Sequence, residues 1–282
     1  MVARSFHRLI ELISLPRPQL FVIPAAAGVC GLMISSLSRD FFGIIFAALI
    51  PVLIWSGGQV LNDLFDSEFD SIHHPEWPIP SGIIPKKLAL TYGVLFYIMG
   101  LSLAFYVNIY CFGATMLATF FATIYNNLKR KGIYGNICFG LAVASCVLIG
   151  ATINKNISNL VLSVVGISIL IHTSDNIIGT FADTEADKKM GFKTVTTQIG
   201  PKYSAFISFL LISIASIVVL LLWKLGLGIL YLPLAIIAII SLLWTSFLVL
   251  RNPNKFCNLG GFWVVYSFFM GEILLYMSLI IK

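Results

Sequence analysis

The sequence predicts an all-α, multi-pass membrane protein, a single embedded domain over residues 1–282. Three observations carry that expectation. Mean hydropathy is +0.96. Of the residues, 59% are hydrophobic and 11% charged, against the about 25% charged that soluble domains carry. Apolar runs long enough to span a hydrocarbon core of about 30 Å recur at nine places. With the N-terminus cytoplasmic, these nine spans divide the cationic residues 14 inside to 4 outside, the sense of the positive-inside rule. The outside four are Arg39, Lys155, Lys224 and Lys282.

Taken in order, residues 1–18 hold Arg4, Arg8 and Arg17 around Leu9-Ile10 and Leu12-Ile13. That pattern predicts an amphipathic lead-in helix at the membrane surface rather than a cleaved signal. The spans follow at roughly 19–37, 41–60, 88–107, 109–126, 135–153, 158–179, 204–223, 226–249 and 260–281. Spans three and four are separated by a very short turn near Asn108, which predicts a tight helical hairpin. Cys30, Cys111, Cys138, Cys146 and Cys257 show no metal-ligand spacing and read as small buried hydrophobes. The net charge of +6 follows from topology, and no nucleic-acid patch is present.

The acids are as uneven as the cations. Five of the twelve follow span two (Asp63, Asp66, Glu68, Asp70, Glu76). Four lie at or after the end of span six (Asp175, Asp183, Glu185, Asp187). Both groups come out on the cytoplasmic side, where their loops form a cap. At about 100° per residue, Asn62, Asp66 and Asp70 share one helix face. Two carboxylates and an amide so stacked suit a hard divalent cation. Asn176, Thr180, Asp183 and Asp187, spaced 4, 3 and 4, predict a matching helical stripe. Asp63 points about 100° from Asn62, so a ligand role and a neighbouring one stay equally open. For Asp175 a helix-end capping role competes with a polar contact to substrate. Glu68 reads as solvated, and His73, His74 and His172 as structural.

Two facing carboxylate pairs repel unless cations lie between them. Magnesium takes one or two carboxylates and completes its shell with phosphate and water. The natural guest is a diphosphate, with Arg17, Lys129, Lys131, Lys188 and Lys193 as candidates for its remaining oxygens. A site opening into lipid-embedded helices suggests a diphosphate with a long apolar tail. Metal binding would make that diphosphate a better leaving group. Tyr125 is either an interfacial belt residue or part of this site.

These residues match a family. Asn62-Asp63-x-x-Asp66-x-x-x-Asp70, followed by Pro78-Ile79-Pro80-Ser81-Gly82, resembles the first motif of the UbiA-type intramembrane prenyltransferases. Asp183-Thr184-Glu185-Ala186-Asp187-Lys188-Lys189-x-Gly191-Phe192-Lys193-Thr194, then Gly200, is similar to their second. Tyr125 through Asn136 resembles the short loop between, and Arg17-Pro18 fits before span one. The short spacing from Asp70 to Pro78 is similar to the digeranylgeranylglyceryl phosphate synthase and chlorophyll synthase branches. The resemblance implies magnesium-dependent transfer of an isoprenoid from a polyprenyl (geranylgeranyl-type) diphosphate to a lipid-like or ring-bearing acceptor. It implies that Asp66, Asp70, Asp183 and Asp187 serve catalysis as metal ligands with Asn62. Asn62, Tyr125, Arg17 and the four lysines then face the diphosphate. Three positions depart from the pattern. Trp77 stands where many members carry Arg, Thr180 where many carry an acid, and Gly179 where the residue before that acid is usually Lys, Arg or Asn. The thinned second motif also admits a terpene cyclase of the same fold. A transporter or lipid-binding protein with an acidic ion site is the reading from another class; transporters hold coupling ions near the midplane rather than at helix ends.

Overall fold

The structure, a computed structural model, describes residues 2–36, 40–256 and 261–281. Arg39, Cys257 and Lys282 lie outside the described residues. The described chain is helical, with a lone backbone bridge, Lys131 to Lys193, in place of any strand. The lead-in helix α1 (Val2–Ser14) ends at a break where Arg17 takes left-handed backbone angles and Pro18 opens a single 3-10 turn. Phe6, Leu9, Ile10 and Ile13 of α1 are exposed, as expected of a helix lying on a membrane. The helices α2 (Val22–Ser35), α3 (Phe41–His73), α4 (Lys86–Val107), α5 (Ile109–Leu128), α6 (Ile133–Ile153) and α7 (Asn159–Gly179) follow. After the short α8 (Thr184–Lys189) come α9 (Val195–Leu222), α10 (Tyr231–Arg251), a single turn α11 (Pro253–Lys255) and α12 (Gly261–Ile280).

Each predicted apolar span coincides with one of these helices, but the spans differ in reach. Seven helices (α3 to α7, α9 and α10) are long and apolar enough to cross a membrane. The run 19–37 is not one helix: Pro18 and Phe21 spend its start on a turn, and α2 proper has 14 residues, about 21 Å at 1.5 Å each. It meets the preceding helical segment at 48°, and the two together make an eighth span only if they cross as one. In α12 the apolar stretch runs over Tyr266–Ile280. Asn108 makes the predicted hairpin: it separates α4 from α5, and its side chain accepts from the Cys111 N–H at 2.9 Å.

Small residues let the helices close up. A methyl group on Gly150 of α6 would lie 1.8 Å from the Gly28 carbonyl oxygen of α2, so only glycine permits that crossing. Adjacent pairs are α2–α6, α3–α4, α5–α6, α6–α7, α7–α9 and α10–α12. Cys30, Cys111, Cys138 and Cys146 are buried and unbridged. His172 pairs with Glu272 at 2.5 Å, both fully buried, and the Tyr276 hydroxyl donates to the same carboxylate at 2.6 Å. This ties α7 to α12 and accounts for a histidine on an apolar face. Cys30 and Cys146 are not far from that carboxylate, which sits among α2, α6, α7 and α12.

Candidate active site

The apolar part of α3 ends near Val60, yet the helix continues to His73. That continuation carries Asn62, Asp63, Asp66 and Asp70 on one rigid rod. The second cluster is built differently. The predicted stripe from Asn176 to Asp187 is broken: α7 stops at Gly179, turns occupy 180–183, and Asp183 sits at the start of α8. The Thr180 hydroxyl donates to the Ile177 carbonyl in the last turn of α7, and the Thr184 hydroxyl to the Thr180 and Phe181 carbonyls, as short hydroxyl side chains do. Thr194 then caps α9, its Oγ accepting from the Thr197 N–H.

Both clusters line one polar cavity of about 380 Å³. Asn62, Asp63, Asp66 and Asp70 face it from α3; Asp183, Asp187 and Thr194 face it from the other side. Asn176 and Thr180 complete that second wall. Arg17, Lys129 and Arg130 bring the positive charge. The Lys129 ammonium donates to Asn62 Oδ1 at 2.7 Å and pairs with Asp66. Arg130 Nη2 takes the other Asp66 oxygen at 2.6 Å. Arg17 pairs with Asp63 at 2.8 Å, so Asp63 anchors an arginine at the cavity wall. Tyr125 Oη accepts from Asn176, which in turn accepts from Asn136, so a three-residue chain fixes the ring at the cavity wall.

A second cavity of about 310 Å³ adjoins the first, sharing Arg17, Asn62, Tyr125 and Asn176 with it. Apart from Gln59, its remaining lining is apolar and aromatic, including Ile54, Trp55, Ala118, Phe139, Cys146 and Phe269. Phe139 packs against both Trp55 and Tyr125. The charged head of a ligand and its greasy tail thus have adjoining compartments, with Asn62 and Tyr125 at the border.

The electrostatics fit an anion bridged by cations. Burial, then the neighbouring Asp183 carboxylate, pushes Asp187 up to about 6. Burial also raises Asp183, against the pull of His74. Burial draws Lys129 below its usual range, while Asp66 pulls it back up. Carboxylates raised in this way are short of positive partners. Among the described residues, no three acid, histidine or cysteine side chains converge to hold a metal by themselves. An oxygen-only donor set that leaves coordination positions for phosphate and water is the setting magnesium prefers.

Of the cations expected at the site, three stand apart from the lining. Lys188 pairs with exposed Glu185 at 3.0 Å. Lys131 and Lys193 meet through their backbones and lie exposed outside the cavity. The reason is local geometry: the turn after α5 points Lys129 and Arg130 inward and Lys131 outward. Arg130, Phe69 and Thr194 were not among the expected site residues. A Lys-Arg-Lys run gives no sign of which member faces in. Trp77 also lines the cavity and stacks on His74, with centroids 4.3 Å apart. Asp175 is not at a helix end but buried in α7 near His172, so it caps nothing.

The chain as a whole resembles known proteins. The profile of the UbiA prenyltransferase family matches residues 21–278. Digeranylgeranylglyceryl phosphate synthase of Pyrococcus abyssi is 30% identical over 274 residues, covering 93% of this chain and 96% of that one. The enzyme of the same name from Methanocaldococcus jannaschii is 30% identical over 237 residues, 83% of each chain. A solved structure from work on digeranylgeranylglyceryl phosphate synthase in membranes superposes with a TM-score of 0.76 at 27% identity, covering 98% of both chains. A UbiA homologue from Archaeoglobus fulgidus, solved bound to DMAPP and Mg2+, shares the fold with a TM-score of 0.79 at 18% identity, over 96% of this chain and 99% of that one.

Proposed function

The chain belongs to the UbiA prenyltransferase family, and from that premise we propose that it transfers a geranylgeranyl-type chain from its diphosphate to a lipid-like acceptor, releasing diphosphate. The observation that carries the reading is the pair of adjoining cavities: acids and cations surround one, aromatic and aliphatic side chains the other. The name shared by the relatives favours a glyceryl phosphate already bearing one isoprenoid over a ring-bearing acceptor. Nine spans with the N-terminus and both acidic loops cytoplasmic, in one membrane-embedded domain, are the topology we infer. The 14-to-4 division of cations supports it.

In this reading Asn62, Asp66 and Asp70 hold one magnesium ion and Asp183 and Asp187 another. Magnesium supplies Lewis acidity, neutralising charge on the departing diphosphate. The chain's own residues do the rest. Lys129 gives up its bonds to Asn62 and Asp66 and turns to the diphosphate. Arg17 stays tethered to Asp63 and offers its free N–H groups to the same anion. The adjoining apolar cavity holds the tail and keeps water from the allylic cation. Trp55, Tyr125 and Phe139 present ring faces and edges there, and a ring face steadies positive charge. The acceptor hydroxyl attacks the allylic carbon, and its proton leaves with the released diphosphate.

The test is incubation of purified protein with geranylgeranyl diphosphate and Mg2+, with and without geranylgeranylglyceryl phosphate. Diphosphate release and a doubly prenylated product that both require acceptor and metal are expected. A hydrocarbon formed from the diphosphate alone would replace the reading with cyclisation, and no diphosphate release at all would replace it with a carrier.

A further inference from the structure

We propose that Arg130 is a positioning residue, a strut that holds the two acid clusters at a fixed separation rather than a contact for the diphosphate. The inference rests on the prenyltransferase reading for its consequence in activity, but its geometry stands by itself. Arg130 is tied four ways. Its Nη2 lies 2.6 Å from Asp66 Oδ1, on the first cluster. Its guanidinium carbon lies 5.2 Å from the centroid of the Phe69 ring, also on α3. The same carbon lies 4.2 Å from the centroid of Phe192, which follows α8 in the second-cluster segment. The two ring centroids are 5.7 Å apart, so the rings touch each other and the cation rests against a pair made of one ring from each segment. The backbone completes the tie: the Lys193 N–H donates to the Arg130 carbonyl at 3.2 Å, and the Gly132 N–H donates to the Lys193 carbonyl.

The physics favours a strut over a ligand. A guanidinium presents two flat faces and a fixed fork of donors. Here the cation lies against two touching rings, one from each segment, and part of the fork is held by a carboxylate. Lys129 is placed differently, as a point charge on a flexible stem that can exchange partners. The second-cluster segment needs such a tie, because turns at 180–183 replace the helix that would have fixed it. Lysine at position 130 would keep the charge on Asp66 but lose the flat faces. Leucine at position 192 would keep the charge and the bulk but remove one ring.

The test compares Arg130→Lys, Phe192→Leu and the double variant, using hydrogen–deuterium exchange over residues 183–194 alongside kinetics. Each single variant is expected to speed exchange there and to lower kcat by about tenfold, the scale of a partly buried cation–π contact, with little change in the KM for the prenyl diphosphate. The double variant is expected to cost no more than either single one, since both remove the same contact. Phe192→Tyr, which keeps a ring, is expected to restore slow exchange. Melting curves in detergent identify any variant that fails to fold, and the exchange of Phe192→Tyr against Phe192→Leu then decides. Unchanged exchange in Arg130→Lys, additive losses in the double variant, or a rise confined to KM would overturn the strut. A wild-type protein that released no diphosphate would overturn the functional reading, while the exchange data would still judge the strut.

Discussion

The two acid clusters meet across one cavity, but their backbones have little in common. Asn62, Asp66 and Asp70 sit on an unbroken helix of 33 residues, and their relative positions follow from 3.6-residue periodicity alone. Asp183 and Asp187 sit on a six-residue helix between turns, held in place by hydroxyl caps, a backbone bridge and the Arg130 contact. The first cluster is rigid through local structure; the second is rigid only through what it touches. Substitutions in the first should therefore remove chemistry and leave shape intact. Substitutions around the second should disturb both.

The largest effect expected is at Asp66. It faces the cavity and is already the partner of two cations. Asp66→Asn should lower the rate of diphosphate release by about 10²–10³, the size seen when one preorganised charge-stabilising group is removed. The melting temperature should fall without loss of the fold, because α3 forms without that carboxylate while Lys129 and Arg130 lose their charged partner. Asp187→Asn should cost less in rate, on the order of tenfold to a hundredfold, because a single carboxylate is lost from a wall that still holds Asp183. Measuring both variants by diphosphate release and by melting in detergent breaks the comparison if Asp66→Asn unfolds the protein or Asp187→Asn proves the more severe.

How much of this was legible beforehand follows the same divide. The nine apolar runs, the Asn108 hairpin and the α3 stripe depend on periodicity and composition, and each has its helix in the structure. The stripe from Asn176 to Asp187 obeyed the same spacing and still broke. Periodicity gives no weight to Gly179, to hydroxyls that bond the preceding turn, or to the turn between α7 and α8. The 19–37 run is helical over only part of its length for a related reason: hydropathy does not register the turn opened by Pro18. Arg130 was out of reach, since its role depends on Phe69 and Phe192, remote in sequence from it and from each other. Glu272 stood alone in an apolar run, and only folding brings it to His172.

Acidity offers a sharper probe of the second cluster. Asp187 is raised to about 6, so the folded protein without metal binds a proton there more tightly than the unfolded chain does. The sign follows: between the ordinary carboxylate range and about pH 6 the folded state holds more protons, and its stability falls as pH rises through that window. Above it, Asp187 is charged and short of positive partners. A bound divalent cation relieves that state and competes with the proton. The rise in melting temperature on adding Mg2+ should therefore be larger at pH 7.5 than at pH 5. In Asp187→Asn this pH dependence should shrink. An equal Mg2+ shift at both values would argue against Asp187 as a ligand.

The smallest effect expected tests the scaffold alone. Thr194 caps α9 and lines the cavity beside Asp187, where its hydroxyl favours the charged carboxylate. Thr194→Ala should lower stability by about 1 kcal/mol, the usual cost of an N-cap lost to alanine. It should also weaken the Mg2+-induced shift, because Asp187 loses a neighbour that favours its charged form. Thr194→Ser keeps the hydroxyl and should recover most of both. The counterpart on α3 is Ser71, whose hydroxyl donates to the Glu68 carbonyl near the end of the rod. Ser71→Ala removes a side-chain-to-backbone hydrogen bond beside the first cluster, yet should leave the Mg2+ response unchanged, because nothing there depends on a cap. Equal responses from Thr194→Ala and Ser71→Ala would mean that the second cluster is no more dependent on its surroundings than the first.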